Sequence, residues 1–234
     1  MDVWGAIYRD HLAGNVHPYV IERDDGLAHT IPSAEAYFKA PRSDVERELL
    51  DSLRGPVLDL GAGAGSHALY LEGRGLAVTA VDASEGAIDV CQRRGCHDAR
   101  LMDIRSLKLE RDHYSAIIVM GNTLGIHQTS ETLPVLLREL ARAANPGARL
   151  LCATLDPLDT GDPSHLRYHQ HNRDRGQPPG MSIIRLRYRN LIDDWIHLWM
   201  PTRDEFFAAV VESGWSPLEE KPFGANRFRL LEHR

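Results

Sequence analysis

The stretch VLDLGAGAGSHALYL, residues 57–71, runs an apolar strand into three glycines and on into a helical pattern; no other segment restricts the fold as much. A strand that is apolar at nearly every position must be covered on both faces, which is the condition of a parallel sheet layered by helices. The rest of the chain agrees. SDVE at 43–46 reads as a capping box, with Ser43 accepting from the Glu46 amide and Glu46 reaching back, and Val45, Leu49, Leu50 and Leu53 follow at helical spacing. Strand-like PVLDL (56–60), AVTAVD (77–82), ARLM (99–102), YSAIIVM (114–120) and ARLLCATL (148–155) alternate with helix-like SHALYLEGR (66–74), EGAIDVCQRR (85–94) and a segment near 130–144 carrying Leu133, Leu136, Leu137 and Leu140. Right-handed crossovers make such a sheet doubly wound, and ligands then belong at the carboxyl ends of its strands.

Composition narrows the function classes. With 234 residues the chain suits one well-buried domain carrying a modest insertion. A formal net charge of −6 weighs against nucleic acid held mainly through its phosphates and favours a small molecule or a protein as partner. Cys91, Cys96 and Cys152 form no paired metal spacing, and an odd count argues against a disulfide framework, so no metal and a cytoplasmic location are expected. The opening MDVWGAIYRDHLAGN, interrupted by Asp2, Arg9 and Asp10, suits neither a secretory signal nor a membrane anchor.

Gly61, Gly63 and Gly65 sit where the first parallel strand turns into its helix, so main-chain amides there can approach a ligand without side-chain obstruction. Asp82, at the end of the next strand, is placed to accept hydrogen bonds from ribose hydroxyls. Together these features point to a nucleoside ligand. The dinucleotide fingerprint would need glycine at position 66; Ser66 stands there, and the glycines read GxGxG, which makes a nicotinamide oxidoreductase a distant reading.

The chain resembles the class I S-adenosylmethionine-dependent methyltransferases. VLDLGAGAG (57–65) and VDAS (81–84) look like that family's first two motifs, MDI (102–104) matches its adenine-contacting position, AIIVMGNTLG (116–125) stands at the fourth motif, and NPGARLL (145–151) turns into the fifth strand. The resemblance implies an α/β, doubly wound, mostly parallel seven-stranded sheet, with S-adenosylmethionine as cofactor. Carried over by position, Gly61, Ala62 and Gly63 pass the methionine moiety, and Asp82, with Ala83 and Ser84 beside it, binds the ribose. Met102, Asp103 and Ile104 hold the adenine, and Gly121 and Asn122 line the end near the methyl group. Asp103 has an alternative reading as a strand-end turn residue. Gly121-Asn122-Thr123-Leu124 departs from the Asn/Asp-Pro-Pro-aromatic tetrad of enzymes that methylate base amines, and that reading loses support.

Two segments lie outside the expected core of 43–155, which residues 201–234 complete with a helix and strands. Residues 1–42 hold Trp4, Ile7, Tyr8 and Leu12 at helical spacing and a hairpin signal at Asp25-Gly26; with Tyr37 and Phe38 they form either a lid over the cofactor or a cap on the core. Residues 156–200 read as a helix from Asp162 and Pro163 to a stop at Gly176, then a two-stranded arm of IIRLRYR and WIHLWM, resembling the substrate caps of small-molecule methyltransferases. On the first of those strands Arg185, Arg187 and Arg189 share a face, read as an anion-binding surface or a solvated edge. On the helix His165, Tyr168, His169 and Asn172 share a face, read as a site of general-base catalysis by His165 or His169, or as a polar face in water. The expected activity is methyl transfer to an oxygen or nitrogen of a small molecule. A protein or RNA methyltransferase, and a non-catalytic S-adenosylmethionine-binding sensor or support subunit, are the alternatives.

Overall fold

The computed structural model describes residues 1–234. In chain order its elements are α1 (Val3–Leu12), β1 (Tyr19–Arg23), β2 (Ala28–Ile31), α2 (Asp44–Asp51), β3 (Val57–Leu60), α3 (Ser66–Glu72), β4 (Val78–Asp82), α4 (Glu85–Arg94), β5 (Asp98–Leu101), β6 (Tyr114–Val119), α5 (Thr132–Ala143), β7 (Ala144–Leu155), α6 (Pro163–Asp174), β8 (Met181–Tyr188), β9 (Leu191–Ile192), β10 (Ile196–Trp199), α7 (Arg203–Val211), β11 (Trp215–Phe223) and β12 (Asn226–His233).

Seven strands form the main sheet in the order β11-β12-β7-β6-β3-β4-β5. The pairs from β7 to β5 are parallel, and β12 runs antiparallel between β7 and β11. The doubly wound, mostly parallel sheet expected from the strand and helix alternation is therefore present. Residues along each central strand serve opposite faces in turn. Leu58, Leu60, Ile117 and Val119 pack with α5 and α7, whereas Val57, Ala116, Ile118 and Leu151 pack with α2 and α3. Burial of this kind contributes on the order of 1.5–3 kcal/mol per large side chain, which is why the central strands carry almost no polar residues.

Five strands form a second, antiparallel sheet, ordered β10-β8-β1-β2 with β9 paired to β8. Here the structure corrects the sequence reading. The expected N-terminal hairpin and two-stranded arm are present, but β1 pairs with β8, Ile21 opposite Leu186 and Glu22 opposite Arg185, so the two segments join in one sheet. A lone hairpin would leave two rows of backbone donors and acceptors unmade, and the shared pairing covers one row of each. α1 lies between this sheet and α4: Val3, Ile7 and Tyr8 pack with Ala87, Val90, Leu186 and Tyr188. The approach to α4 depends on Gly5 and Gly86, because a Cβ at Gly86 would stand 2.3 Å from the Gly5 Cα. Asp2 locks the joint by accepting from Gly5 N (2.9 Å), Gly86 N (2.8 Å) and Ser84 Oγ (2.7 Å).

Candidate active site at the carboxyl ends of the parallel strands

The loop from β3 to α3 is held open by backbone geometry. Gly61 and Gly63 have φ of +79° and +57°, in the left-handed region that favours glycine. Gly61 N and Ala62 N both donate to Val81 O, fixing the loop to β4. A Cβ at Gly61 would stand 2.4 Å from the Thr123 Cγ2, so glycine also leaves room for the segment that follows β6. Asp82 ends β4 and braces the loop: its Oδ2 accepts from Gly63 N and its Oδ1 from Ser84 N, each at 2.9 Å. A carboxylate oxygen can accept two bonds, so each keeps one acceptor site free. Burial raises the Asp82 carboxyl above the usual carboxylate range.

Beside this loop opens a cleft of about 270 Å³. Gly61, Ala62, Gly63, Asp82, Ala83, Met102, Asp103, Ile104 and Gly121 all line it, so four strand ends converge on one space. Asp103 lines it while its carboxylate caps the turn that follows β5, accepting from Arg105 N at 2.8 Å and forming a two-pronged pair with the Arg105 guanidinium. Arg105 holds that carboxyl below its usual range. The cleft also has walls that the motifs did not announce. Trp4, Tyr8 and Tyr37 roof it as a mutually packed aromatic group, with ring centroids 5.1–5.4 Å apart. Arg42, His67, Thr123, Ile126 and His127 also line it.

Two buried acids lie behind these walls. Glu46 is fully buried and bonds His67 Nε2 at 2.9 Å. Burial raises its carboxyl, but the bonds from His67 and the Arg42 amide outweigh that and bring it to about 2. The reciprocal half of the expected capping box therefore goes to the Arg42 amide at 2.5 Å, while Ser43 Oγ accepts from Glu46 N at 3.0 Å as expected. Asp59, 1 % exposed, has an Oδ2 with no hydrogen-bond partner, and burial raises its carboxyl to about 6. On the opposite wall His127 has a φ of +55°, its N–H donates to His197 O at 2.8 Å, and Ile126 bridges Leu198, tying the segment after β6 to β10. Burial, with Arg105 nearby, lowers the His127 imidazole below its usual range.

Residues 57–147 match the family model of the methyltransferase domain. This stretch is similar to a methyltransferase domain, and the sheet around it has the class I methyltransferase fold. A S-adenosylmethionine-dependent methyltransferase from Bacteroides fragilis, solved with S-adenosyl-L-homocysteine, superposes with a TM-score of 0.82 at 22% identity, over 99% of this chain and 94% of that one. The shared fold thus extends to the second sheet. Among curated relatives, the malonyl-[acyl-carrier protein] O-methyltransferase of Serratia marcescens is 35% identical over 100 residues, 42% of this chain and 38% of that protein. The cypemycin N-terminal methyltransferase of a Streptomyces species is 31% identical over 106 residues, 44% of this chain and 43% of that protein. The demethylmenaquinone methyltransferase of Clavibacter sepedonicus is 31% identical over 99 residues, 41% of this chain and 39% of that protein. The chain spans less than half the length of these relatives.

Four residues singled out by sequence do not line the cleft. Ser84 is the N-cap of α4, its Oγ accepting from Ala87 N at 2.9 Å. Asn122, in the left-handed region at φ +64°, turns its Oδ1 to Leu155 N at 2.6 Å and so ties the β6 end to β7. His165 and His169 stand on α6, whose shared face packs on the second sheet. Tyr168 OH donates to Asp24 Oδ1 at 2.6 Å, Asn172 Nδ2 donates to Met181 O at 2.6 Å, and Arg23 stacks 3.9 Å over the Tyr168 ring. His165 Nδ1 meets Thr160 Oγ1 at 3.2 Å, and His169 is buried with its Nδ1 unpartnered. The spacing of three and four that suggested a proton-handling face is a packing face. The arginine face is neutralised in the same way. Arg185 bonds Glu22 at 2.9 Å and lies 4.3 Å over Trp195, Arg187 stands 3.7 Å from Glu22, and Arg189 pairs with Asp10 at 3.1 Å. Exposed pairs of this kind contribute about 0–1 kcal/mol, so Arg187→Glu is expected to leave both the methyl-transfer rate and its salt dependence within about twofold of wild type. A steep new salt dependence would return the anion-binding reading.

Proposed function

We propose that the chain transfers the methyl group of S-adenosylmethionine to an oxygen or nitrogen of a small-molecule acceptor. The observation that carries this reading is the roofed cleft. Its size suits a small ligand, and Trp4, Tyr8 and Tyr37 border it as a packed aromatic wall. Asp82 offers its two remaining acceptor sites to the ribose hydroxyls, Met102 and Ile104 offer apolar contact to the adenine, and Gly61, Ala62, Gly63 and Gly121 leave room for the methionine moiety. Arg42, held only by a 3.4 Å contact to Glu46, and His67 face the same space and suit a carboxylate. The sulfonium supplies an activated methyl donor, and the chain contributes position, orientation and exclusion of water. His127 is the imidazole kept neutral in the cleft, in a state to take a proton from the acceptor. By their names, the relatives act on a malonyl-acyl-carrier protein, the N-terminus of cypemycin and demethylmenaquinone. Three different acceptors on one kind of domain fit a division in which the motifs hold the cofactor and the second sheet and roof select the acceptor.

The test is transfer of labelled methyl from S-adenosylmethionine to cell extract, followed by separation by size. Label is expected in the small-molecule fraction; label on protein or RNA would overturn the acceptor class. Tight binding of S-adenosylhomocysteine with no label in any fraction would favour a sensor. His127→Ala is expected to lower turnover by roughly 10²-fold, the usual size for a lost general base. An unchanged rate with unchanged pH dependence would remove His127 from proton transfer.

A further inference from the structure

Behind the glycine loop, outside the cleft lining, two thiols meet. α4 ends at Gly95, in the left-handed region with φ of +99°, and Cys96 N donates back to Cys91 O at 3.0 Å. This helix-terminating arrangement brings together the side chains at its two ends, which are here Cys91 and Cys96. A main-chain bond of that length also keeps the two α-carbons near one another, and a disulfide requires them roughly 4.4–6.8 Å apart. Cys91 Sγ donates to Gly63 O at 3.3 Å and Cys96 Sγ to Gly65 O at 3.9 Å. A Cβ at Gly65 would stand 2.7 Å from the Cys96 sulfur and 2.9 Å from the Cys91 sulfur, so both atoms border one point under the loop. Cys152, the third cysteine, lies apart on β7.

We propose that Cys91 and Cys96 are a redox modification site, oxidised by a peroxide to a disulfide that withdraws both thiols from the glycine-loop carbonyls and weakens ligand binding in the cleft. In the first step a Cys96 thiolate attacks one oxygen of hydrogen peroxide, the O–O bond breaks, hydroxide leaves and a sulfenic acid forms. In the second, the Cys91 sulfur attacks the Cys96 sulfur, the S–O bond breaks and water leaves. Two thiols give up two electrons and two protons, and the peroxide is reduced to two waters. Cys96 reacts first because it retains 7% exposure whereas Cys91 has none. The consequence follows from what the sulfurs touch. Gly63 O belongs to the residue whose N–H is bonded to Asp82, and Gly65 opens α3, so a displacement at either carbonyl is felt in the cleft wall.

The part of the proposal that concerns binding rests on the cofactor reading above; the part that concerns the bond does not. The full chain treated with hydrogen peroxide is expected to lose the mass of two hydrogens, and after denaturation only Cys152 should accept an alkylating reagent. Calorimetry should then give S-adenosylhomocysteine binding at least tenfold weaker than before treatment, restored by dithiothreitol. Cys96→Ser keeps a donor toward Gly65 O and cannot close the bond, so it should bind like the reduced wild type and ignore peroxide. An unchanged mass, or added oxygen without the cross-link, would overturn the site. A disulfide that forms and leaves affinity unchanged would overturn the coupling. If S-adenosylhomocysteine binds neither form, the cofactor reading falls, while the mass still decides the bond.

Discussion

Replacing Asp82 with Ala is expected to weaken S-adenosylhomocysteine binding by roughly 10²-fold or more, because one carboxylate has two tasks in this cleft. It holds the Gly63 and Ser84 amides at 2.9 Å, which fixes the glycine loop and the start of α4, and it keeps one free acceptor site on each oxygen for the ligand. Hydrogen bonds to a charged group contribute about 1.5–3 kcal/mol each, so losing the ligand bonds alone accounts for the expected change. Loosening of the loop adds to it. Asp82→Asn retains one acceptor oxygen and should fall between the two. Calorimetry with both variants, each shown by a cooperative unfolding transition to be folded, checks the result; an Ala variant within threefold of wild type would remove Asp82 from ligand binding.

The parts of the fold that were legible share one property: each is dictated by nearby sequence. β3, β4 and β6 are apolar at almost every position because both faces are covered, and the glycine loop stands out because its left-handed φ values restrict the residue type. The pairing of β1 with β8 was not legible. It joins residues about 160 positions apart, and the alternation of Ile184, Leu186 and Tyr188 says which face is buried without saying which strand lies alongside. Trp4, Tyr8 and Tyr37 show the same limit, since aromatics at helical spacing suit a core and a cleft roof equally, and here they do both.

Side-chain direction is a different limit. Asn122 stands one residue from Gly121, which lines the cleft, yet its left-handed φ turns the amide toward β7. On the polar-looking face of α6, His169 is buried and His165 is half-buried, because Tyr168 and Asn172 find carboxylate and backbone partners in the second sheet and its turn. Glu46 carried a visible capping signal, and its bond to His67 in the cleft wall was hidden behind it. Asp59 had no signal of its own: inside an apolar strand it could be read as a tolerated polar residue, and only its burial and its unpartnered oxygen distinguish it.

That oxygen leads to the second large effect. Burial raises the Asp59 carboxyl to about 6 from an ordinary 3.8, with the Asp82 charge adding to the shift, so the folded chain holds a proton that the unfolded chain has released. Because the folded-state value is the higher one, this group favours folding most below about pH 4, and its contribution declines as pH rises through about 6 and is constant above. The difference amounts to on the order of 3 kcal/mol. Urea unfolding of wild type and Asp59→Asn should therefore diverge across that window, with wild type losing stability relative to the variant as pH rises. A cation entering the cleft reverses the penalty, because the ionised acids behind the loop then have a counter-charge. S-adenosylmethionine carries a sulfonium that S-adenosylhomocysteine lacks, so its affinity should climb more steeply than that of the product as pH passes through about 6. In Asp59→Asn that extra steepness should disappear. Parallel pH profiles for the two ligands in wild type would mean that Asp59 is a cost of the fold with no part in choosing a charged ligand.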